Sequence, residues 1–597
     1  MRAILEQAAA RGQLRQIDLH VALFLEKLAG NGSPGLLLAA ALASRAVGEG
    51  HICLPLDHVA GKPVLAPEPI CKAPELSTWR GQLLASGVVA GPDGRTPLVL
   101  DPDDRLYLAR YFNCERTIGE DLLRRCRGIA AVDEERAGQL LARLFPAAPE
   151  IDWQQQAAAM AVLKQFVVIS GGPGTGKTHT VARILALLQT LAGNSLRIGL
   201  AAPTGKAAAR LRESIRTARN TLAPDLAAVV PDETRTLHRL LGYMPHDHAF
   251  RYNRDNPLPL DLLVLDEASM IDVPLMTALV EALPAAARLI MLGDRDQLTS
   301  VEAGSLFGDI CAGREPGWSA PLCRRLRRLT GRAPDPGAGE ESFADSVVLL
   351  RTSYRFAAAS GIAALAGAVN SGSRKTLAGV LAGHFPDFSM HQVEKENLRQ
   401  WLVERIVPGF RDCFVAADPG TALAALARFR ILCCVREGGA GVAGVNRIAE
   451  QALRARGMIT GSDPWYRGQP VMITSNHYGL QLFNGDTGIL WPDDRDRLWA
   501  WFLHADGTLH PVAPARLPAH ETAYAITVHK AQGSEFAEVL LVLPAQDSRI
   551  LCRELIYTGV TRARTKLELC GDRHLLDLAV ERRVSRYSGL TQRLWSG

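Results

Sequence analysis

The run Phe166-Val167-Val168-Ile169-Ser170-Gly171-Gly172-Pro173-Gly174-Thr175-Gly176-Lys177-Thr178 decides how the rest of the chain is read. Phe166–Ser170 is continuously apolar up to a final serine, as expected for a buried strand. A glycine-rich turn closed by Lys-Thr follows, and then a helix-like stretch, His179–Leu188. Strand, glycine loop and helix in that order predict a phosphate-binding loop. The glycines of Gly171–Gly176 let backbone N–H groups wrap phosphate oxygens, and the helix N-terminus adds positive potential. Lys177 is placed to reach β- and γ-phosphates, and the Thr178 hydroxyl suits Mg²⁺.

A second segment supplies what this loop lacks. The apolar run Leu262–Leu265 ends in Asp266-Glu267-Ala268-Ser269. An acidic pair at the C-terminal end of a buried strand fits a nucleotide hydrolase. Asp266 can hold Mg²⁺, directly or through water, and Glu267 can orient and deprotonate the attacking water. Ile198–Ala202 and Leu289–Leu292 are further strand-like runs, each followed by a turn and a helical stretch. That alternation predicts an α/β unit with a parallel sheet and crossover helices.

Working outward, the 597 residues suggest roughly three to five domains. With 47% hydrophobic and 22% charged residues, the chain is neither disordered nor fibrous. A net charge of +5 is too small to show nucleic-acid binding by itself. Eleven cysteines without a Cys-x-x-Cys pair argue against a zinc ribbon and suit unpaired thiols in a reducing compartment. The N-terminus lacks a secretion signal pattern, and the longest apolar run, Leu36–Ala43, is far short of the ~20 residues that span a bilayer. The expectation is a cytoplasmic protein with no membrane contact.

Residues 1–110 carry helical periodicity (Leu19, Ala22, Leu23, Leu25, Leu28), broken at Pro63–Pro69 and Gly91–Gly94. Asp101, Asp103 and Asp104 read as a solvated turn more readily than as a metal site. Residues 111–150 read as a linker, and 151–345 as the first α/β unit. Within it, 312–345 read as a surface insertion: Arg324, Arg325, Arg327 and Arg328 precede the Pro- and Gly-rich Gly331–Gly339 and Glu340-Glu341. Those arginines form a solvated face or touch a nucleic-acid backbone. A second α/β unit spans 346–469 and 518–597, with strand-like Ile431–Val435 and Val539–Leu543. Between them, 470–517 reads as a small β-barrel: Val471–Ile473, Gly488–Leu490, Leu498–Phe502 and Leu509–Val512 are short strands with turns such as Asp506-Gly507.

In order and chemistry these segments resemble the superfamily 1 helicases, and most closely the alpha (RecD) subunits of bacterial RecBCD enzymes (exonuclease V). The resemblance covers nearly the whole chain and is strongest from Trp153 to Arg564. It implies two RecA-like P-loop motor domains with parallel sheets, an SH3-like β-barrel insertion at 470–517 that guides a strand, and a mainly helical N-terminal domain that docks partners.

Gln154 with Ala157 resembles the glutamine motif that reads adenine, whose edge offers an amide both a donor and an acceptor. Ala201–Ala208 resembles motif Ia, implying a DNA phosphate at Thr204, and Thr236–Gly242 matches the next DNA-contacting segment, with His238 either in contact or packed. Leu292–Leu298 resembles motif III, in which Gln297 senses the γ-phosphate. Ser353–Phe356 resembles motif IV, implying that Tyr354 stacks on the base and Arg355 reaches the γ-phosphate. Thr527–Phe536 resembles motif V, which places Thr527 and His529 at DNA and Gly533 and Glu535 at the nucleotide. Tyr557–Arg564 resembles motif VI, with Arg562 as a second arginine finger. Arg436–Gly438 with Gly441–Asn446 matches the second motor domain, implying a DNA contact at Asn446, and Phe483–Gly488 leads into the inserted barrel.

The resemblance thus implies an ATP- and Mg²⁺-dependent 5′-to-3′ DNA helicase acting on single strands and double-strand ends. It also implies a heterotrimer with RecB-like and RecC-like subunits, serving recombinational repair. Polarity and partners rest on the resemblance alone. A stand-alone superfamily 1 5′-to-3′ repair helicase is the alternative, disfavoured by the lack of helix-hairpin-helix material at the N-terminus. A structural subunit with a dead motor is disfavoured by intact Lys177, Asp266, Glu267, Gln297, Arg355 and Arg562.

Overall fold

The computed structural model describes residues 1–595 apart from 31, 66–70, 129–131, 147, 301, 314–316, 338–341, 358, 462, 505–506 and the side chain of Tyr478. The breaks read at Pro63–Pro69, Gly331–Glu341 and Asp506-Gly507 therefore lie partly outside the described residues.

The phosphate-loop strand, Phe166–Gly171, lies inside a six-stranded sheet that is parallel throughout. The order is Val347–Leu350, Phe166–Gly171, Arg288–Gly293, Leu262–Leu265, Ile198–Ala202, Thr234–Thr236. Alternate residues enter opposite cores: Phe166, Val168, Leu263 and Leu265 pack on one face, and Val167, Ile169, Leu262 and Val264 on the other. Two buried faces explain the uninterrupted apolar runs. Because all strands run one way, their C-terminal ends gather Gly171, Ala202, Leu265 and Gly293 on one rim. That rim is where such a sheet binds ligands.

A second parallel sheet has five strands: Phe388–His391, Ala563–Cys570, Phe536–Val542, Phe429–Cys433, Ala525–Thr527. Inserted into this lobe is an antiparallel sheet ordered Leu509–Val512, Leu498–Leu503, Thr487–Pro492, Pro470–Ile473, His520–Thr522. Its two edge strands do not pair with each other among the described residues, so hydrogen bonds make an open ladder of it. The inserted sheet also extends past the expected boundary at 517, to Thr522.

The N-terminal region holds the helices Arg2–Ala10, Gln16–Ala29, Pro34–Gly48 and Leu76–Leu84. The third is buried continuously from Gly35 to Ser44, as befits a helix apolar on every side. A small four-stranded sheet and the two-stranded pair Pro63–Val64 and Cys71–Lys72 complete the described part of the region. All eleven cysteines are free thiols, nine of them buried. No helix among the described residues is long and apolar enough to cross a membrane.

The linker expected at 111–150 is a correction. Ala109–Arg127 and Glu134–Leu144 are helices. Phe112, Ile118 and Leu122 of the first pack into one core of the first lobe, and Ala137, Leu140, Leu141 and Leu144 of the second into the other. The arginine run belongs to the helix Ala320–Thr330, which buries Leu322, Cys323, Leu326 and Leu329. Its Arg325 and Arg328 pair with Glu134 at 2.8 and 3.0 Å, which favours the solvated-face reading for those two.

The C-terminal segment leaves the second lobe after the helix Arg573–Glu581 and returns to the first. Arg586 donates to the carbonyls of Glu302 and Gly304, both at 2.6 Å. Tyr587 stacks on His51 with ring centroids 4.6 Å apart. Ser588 donates to Asp309 at 2.7 Å, and the Gly589 N–H to Glu115 at 2.9 Å. Leu590 and Leu594 then enter the first lobe's core.

Candidate functional site

A cleft of about 940 Å³ opens on the C-terminal rim of the first sheet. It is lined by Gln154, Pro173–Thr178, Asp266, Glu267 and Gln297 from the first lobe. Tyr354 and Arg355 enter from the segment joining the lobes, and Glu535 and Arg562 from the second lobe. These residues come from seven separate stretches of the sequence, and the parallel sheet and the lobe boundary bring them together.

The loop geometry follows from its glycines. Gly174 and Gly176 sit at φ +76° and +80°, where a Cβ is disfavoured. A Cβ would also collide with Arg355 at the first position and with the Gln154 amide at the second. Gly176 caps the helix Lys177–Leu191, so that helix N-terminus faces the cleft. The Lys177 ammonium donates to the carbonyls of Gly171 and, at 3.0 Å, Gly172. Gln154 donates to the Thr175 carbonyl at 3.0 Å and accepts from Arg183 at 3.3 Å, which fixes its amide beside the loop.

Asp266 and Glu267 stand at the end of their strand. Burial, then the adjoining Glu267 carboxylate, holds Asp266 above the usual carboxylate range. Glu267 adopts φ +50°, a left-handed conformation rare for a residue with a side chain, and its N–H donates to Asp266 at 2.9 Å. Such strain is held only where the surroundings over-determine it. Thr178 and Asp266 line the cleft together, and a hydroxyl with a carboxylate is a donor set that suits Mg²⁺.

Arg562 is fully buried and fixed by donation to the Thr558 and Ser534 carbonyls, each at 3.1 Å. Arg355 donates to Glu535 at 2.6 Å, while its Nη1 is buried with no partner among the described residues. Tyr354 is 69% exposed, and its N–H is pinned to the Gly174 carbonyl at 2.8 Å. Burial works to raise the pKa of Glu535, but Arg210 and Arg355 outweigh it and hold it at about 2. Gly533 lines the adjoining cleft rather than this one.

That adjoining cleft, about 950 Å³, lies between the helix Gly205–Arg219, the strand Thr234–Thr236, the second lobe and the inserted sheet. Its lining is arginine-rich: Arg210, Arg212, Arg216, Arg235, Arg239 and Arg430. Arg239 lies over the ring of Phe483 at 4.6 Å. Burial, then Arg430, lowers the Lys206 ammonium to about 8.

Of the residues expected at DNA, Thr204 caps the helix whose next residues, Gly205 and Lys206, line this cleft. His238 packs against Tyr243 and Phe250 in a small aromatic cluster. Thr527 is buried and accepts from the Lys530 N–H at 3.2 Å, and His529, half-buried, follows it. Asn446 is a correction. Its amide donates to the Thr522 and Ala525 carbonyls and accepts from the Ala525 N–H, at 2.9, 3.1 and 2.8 Å. The side chain is committed to holding two backbone segments together, not to a ligand.

Several residues at the lobe boundary escaped the sequence reading. Tyr557 donates to Asp294 at 3.1 Å, and Gln297 donates to the same oxygen at 3.1 Å. Thr558 accepts from the Leu298 N–H at 2.9 Å, and Gln532 donates to the Leu298 carbonyl at 2.9 Å. Arg210 was legible in principle: it stands four residues after Lys206 and shares its helix face.

Three family models match the chain: the AAA domain over 154–303, the RecBCD enzyme subunit RecD N-terminal domain over 10–107, and the UvrD-like helicase C-terminal domain over 522–570. The RecBCD enzyme subunit RecD of Mycolicibacterium smegmatis is 38% identical, with 97% of each chain covered. That of Haemophilus influenzae is 35% identical over 81% of this chain and 79% of its own length. The ATP-dependent RecD2 DNA helicase of Deinococcus radiodurans is 31% identical over 74% of this chain and 52% of its own length.

Proposed function

Since this chain belongs to the family of RecBCD enzyme subunits named RecD, we propose a mechanism in which its two lobes close on ATP to move DNA. It is an ATP-dependent DNA helicase. The proposal extends to a heterotrimer with RecB-like and RecC-like subunits in the cytoplasm, to 5′-to-3′ polarity, and to double-strand ends as substrate.

One observation carries the mechanism: the phosphate loop and both candidate arginine fingers line one cleft although they come from different parts of the chain. The loop N–H groups and Lys177 bind the phosphates. Thr178 and Asp266 would hold Mg²⁺, which would neutralise phosphate charge. Glu267 takes the proton of the attacking water. Arg355 and Arg562 stabilise charge spread over the transferred phosphoryl oxygens, and their permanent charge and planar donors suit that task. Gln154 and Tyr354 flank the base.

Gln297 and Asp294 touch the second lobe through Tyr557, so a change at the γ-phosphate alters the contact between lobes. The arginine-lined cleft receives the strand, with Phe483 as a stacking surface and the inserted sheet as its wall.

The test uses duplexes tailed at the 5′ or the 3′ end, with purified full-length chain and with its complex. Lys177→Gln should abolish hydrolysis and unwinding while the fold remains. Unwinding from the 5′ tail only is expected for the wild type. Normal unwinding by Lys177→Gln refutes the site, and 3′-tail preference refutes the polarity.

A further inference from the structure

Both clefts are bounded by Arg210, Glu213, Thr217, Glu535 and Arg564. Glu535 is the centre of this partition. Its side chain is only 4% exposed, and it accepts from three guanidinium groups: Arg210, Arg355 at 2.6 Å and Arg564 at 2.9 Å. Arg564 lies on a strand of the same lobe as Glu535, and Arg355 on the segment between the lobes. Arg210 alone comes from the first lobe, on the helix Gly205–Arg219.

We propose that Arg210 is a positioning residue that couples the two clefts: from the helix flooring the arginine-lined cleft it holds Glu535 across the lobe boundary, and Glu535 holds Arg355 at the nucleotide. This rests on the assignment of the first cleft to ATP and the second to single-stranded DNA.

The chemistry supports a coupling role over a merely stabilising one. An ion pair with a buried acceptor is poorly screened, and removing one partner leaves a charge short of compensation. Because the pair spans the lobe boundary, it makes and breaks with lobe separation, which an intralobe pair such as Arg564–Glu535 does not. Three cations on one carboxylate also leave positive charge in excess. Arg355 can therefore stay on Glu535 through Nη2 while its Nη1, which has no partner among the described residues, takes a phosphate oxygen. Arg210 and Arg564 then keep Glu535 charged and in place. The same helix begins at Thr204 and carries Lys206 into the neighbouring cleft, so a phosphate bound there acts on the rod that bears Arg210.

The test measures ATP hydrolysis by the full-length chain against oligothymidylate concentration. Arg210→Met is expected to lower the ratio of DNA-stimulated to DNA-free turnover by about 5-fold or more, a typical size for coupling between sites. Arg210→Lys, which keeps the charge but not the planar fork and is expected to fold normally, should give an intermediate ratio. Adding Arg210→Met to Glu535→Gln should change the ratio no further, since the arginine acts through that carboxylate.

A wild-type ratio in Arg210→Met and Arg210→Lys, with only a lower melting temperature, overturns the proposal. So do independent, multiplying effects in the double variant. A wild-type chain with no DNA-stimulated hydrolysis overturns the functional reading as well, whereas stimulation that ignores Arg210 overturns this inference alone.

Discussion

Glu115 should make the docking of the C-terminal segment sensitive to pH. The residue lies on the helix Ala109–Arg127, is 1% exposed, and accepts from the Gly589 N–H at 2.9 Å and the Tyr107 hydroxyl at 3.4 Å. Burial pushes its carboxyl from the ordinary 4.5 up to about 7. The folded chain therefore retains a proton that the unfolded chain releases between these values. Stability falls as pH rises through that window, and the full penalty is present above pH 7. The difference between 4.5 and 7 corresponds to about 3 kcal/mol at most. Asp309, held near 6 by burial and bonded to Ser588, acts in the same direction on the same segment.

Glu115→Gln imitates the protonated form at every pH. Its advantage over the wild type should be small at pH 5 and grow to pH 8.5, by up to about 10 °C in apparent melting temperature for a cooperative unit of 150–250 residues. Thermal melts at intervals of half a pH unit measure this. Parallel curves for the two proteins, or a variant less stable at pH 8.5, would refute the reasoning.

Tyr557→Phe removes a buried donor to Asp294 worth about 1–3 kcal/mol. It should reduce kcat/KM for ATP by about 5-fold or more, and an unchanged value in steady-state assays counts against a signal through this contact. Asn446→Ala should lower stability by about 1–3 kcal/mol through the freed backbone groups. Its affinity for oligothymidylate should stay within about 2-fold of wild type, and a larger loss by fluorescence anisotropy would restore the residue to the DNA surface. Ile17, Phe24 and Leu28 are 56%, 63% and 53% exposed on one face of the helix Gln16–Ala29. Phe24→Glu should leave the melting temperature intact and weaken copurification with the RecB-like and RecC-like subunits; undiminished copurification excludes this face as their contact.

Four strands of the first sheet were legible because both its faces are buried; Thr234–Thr236 was not, and the boundary expected at 345 is corrected by Val347–Leu350, which pairs with the phosphate-loop strand in the first sheet rather than opening the second unit. Phe166–Ser170 and Leu262–Leu265 carry unbroken apolar runs that mark them at once. In the second lobe, Ala563–Cys570 was missed although it lies between two other strands. Arg564, Thr565 and Lys566 are exposed along it, so its pattern resembles a loop. The helices in 111–150 were hidden for the converse reason. Their apolar positions recur at helical spacing among many charges, which reads as a polar tether until a partner surface is known.

Within the site, residues acting from a strand end were readable from local order: the loop glycines and Lys177 follow one apolar run, and the acidic pair Asp266-Glu267 closes another. Contacts across the lobe boundary were not. Tyr557 and Asp294 are separated by 263 positions, and no local pattern announces their meeting. Asn446 shows the opposite failure, since a polar residue in a familiar neighbourhood serves backbone carbonyls instead of a ligand.

The returning C-terminal segment has a mechanical meaning. The second lobe is joined to the first at two places: the outgoing chain near Arg351–Ser360, and the incoming one where Arg586 and Ser588 meet Glu302, Gly304 and Asp309. A body held at a single point can swivel in any direction. A body held at two turns about the line between them, like a door on a pair of hinges. Under the proposed mechanism, chemical energy released in the cleft would drive a swing whose direction is set by where the chain is sewn rather than by the force that drives it.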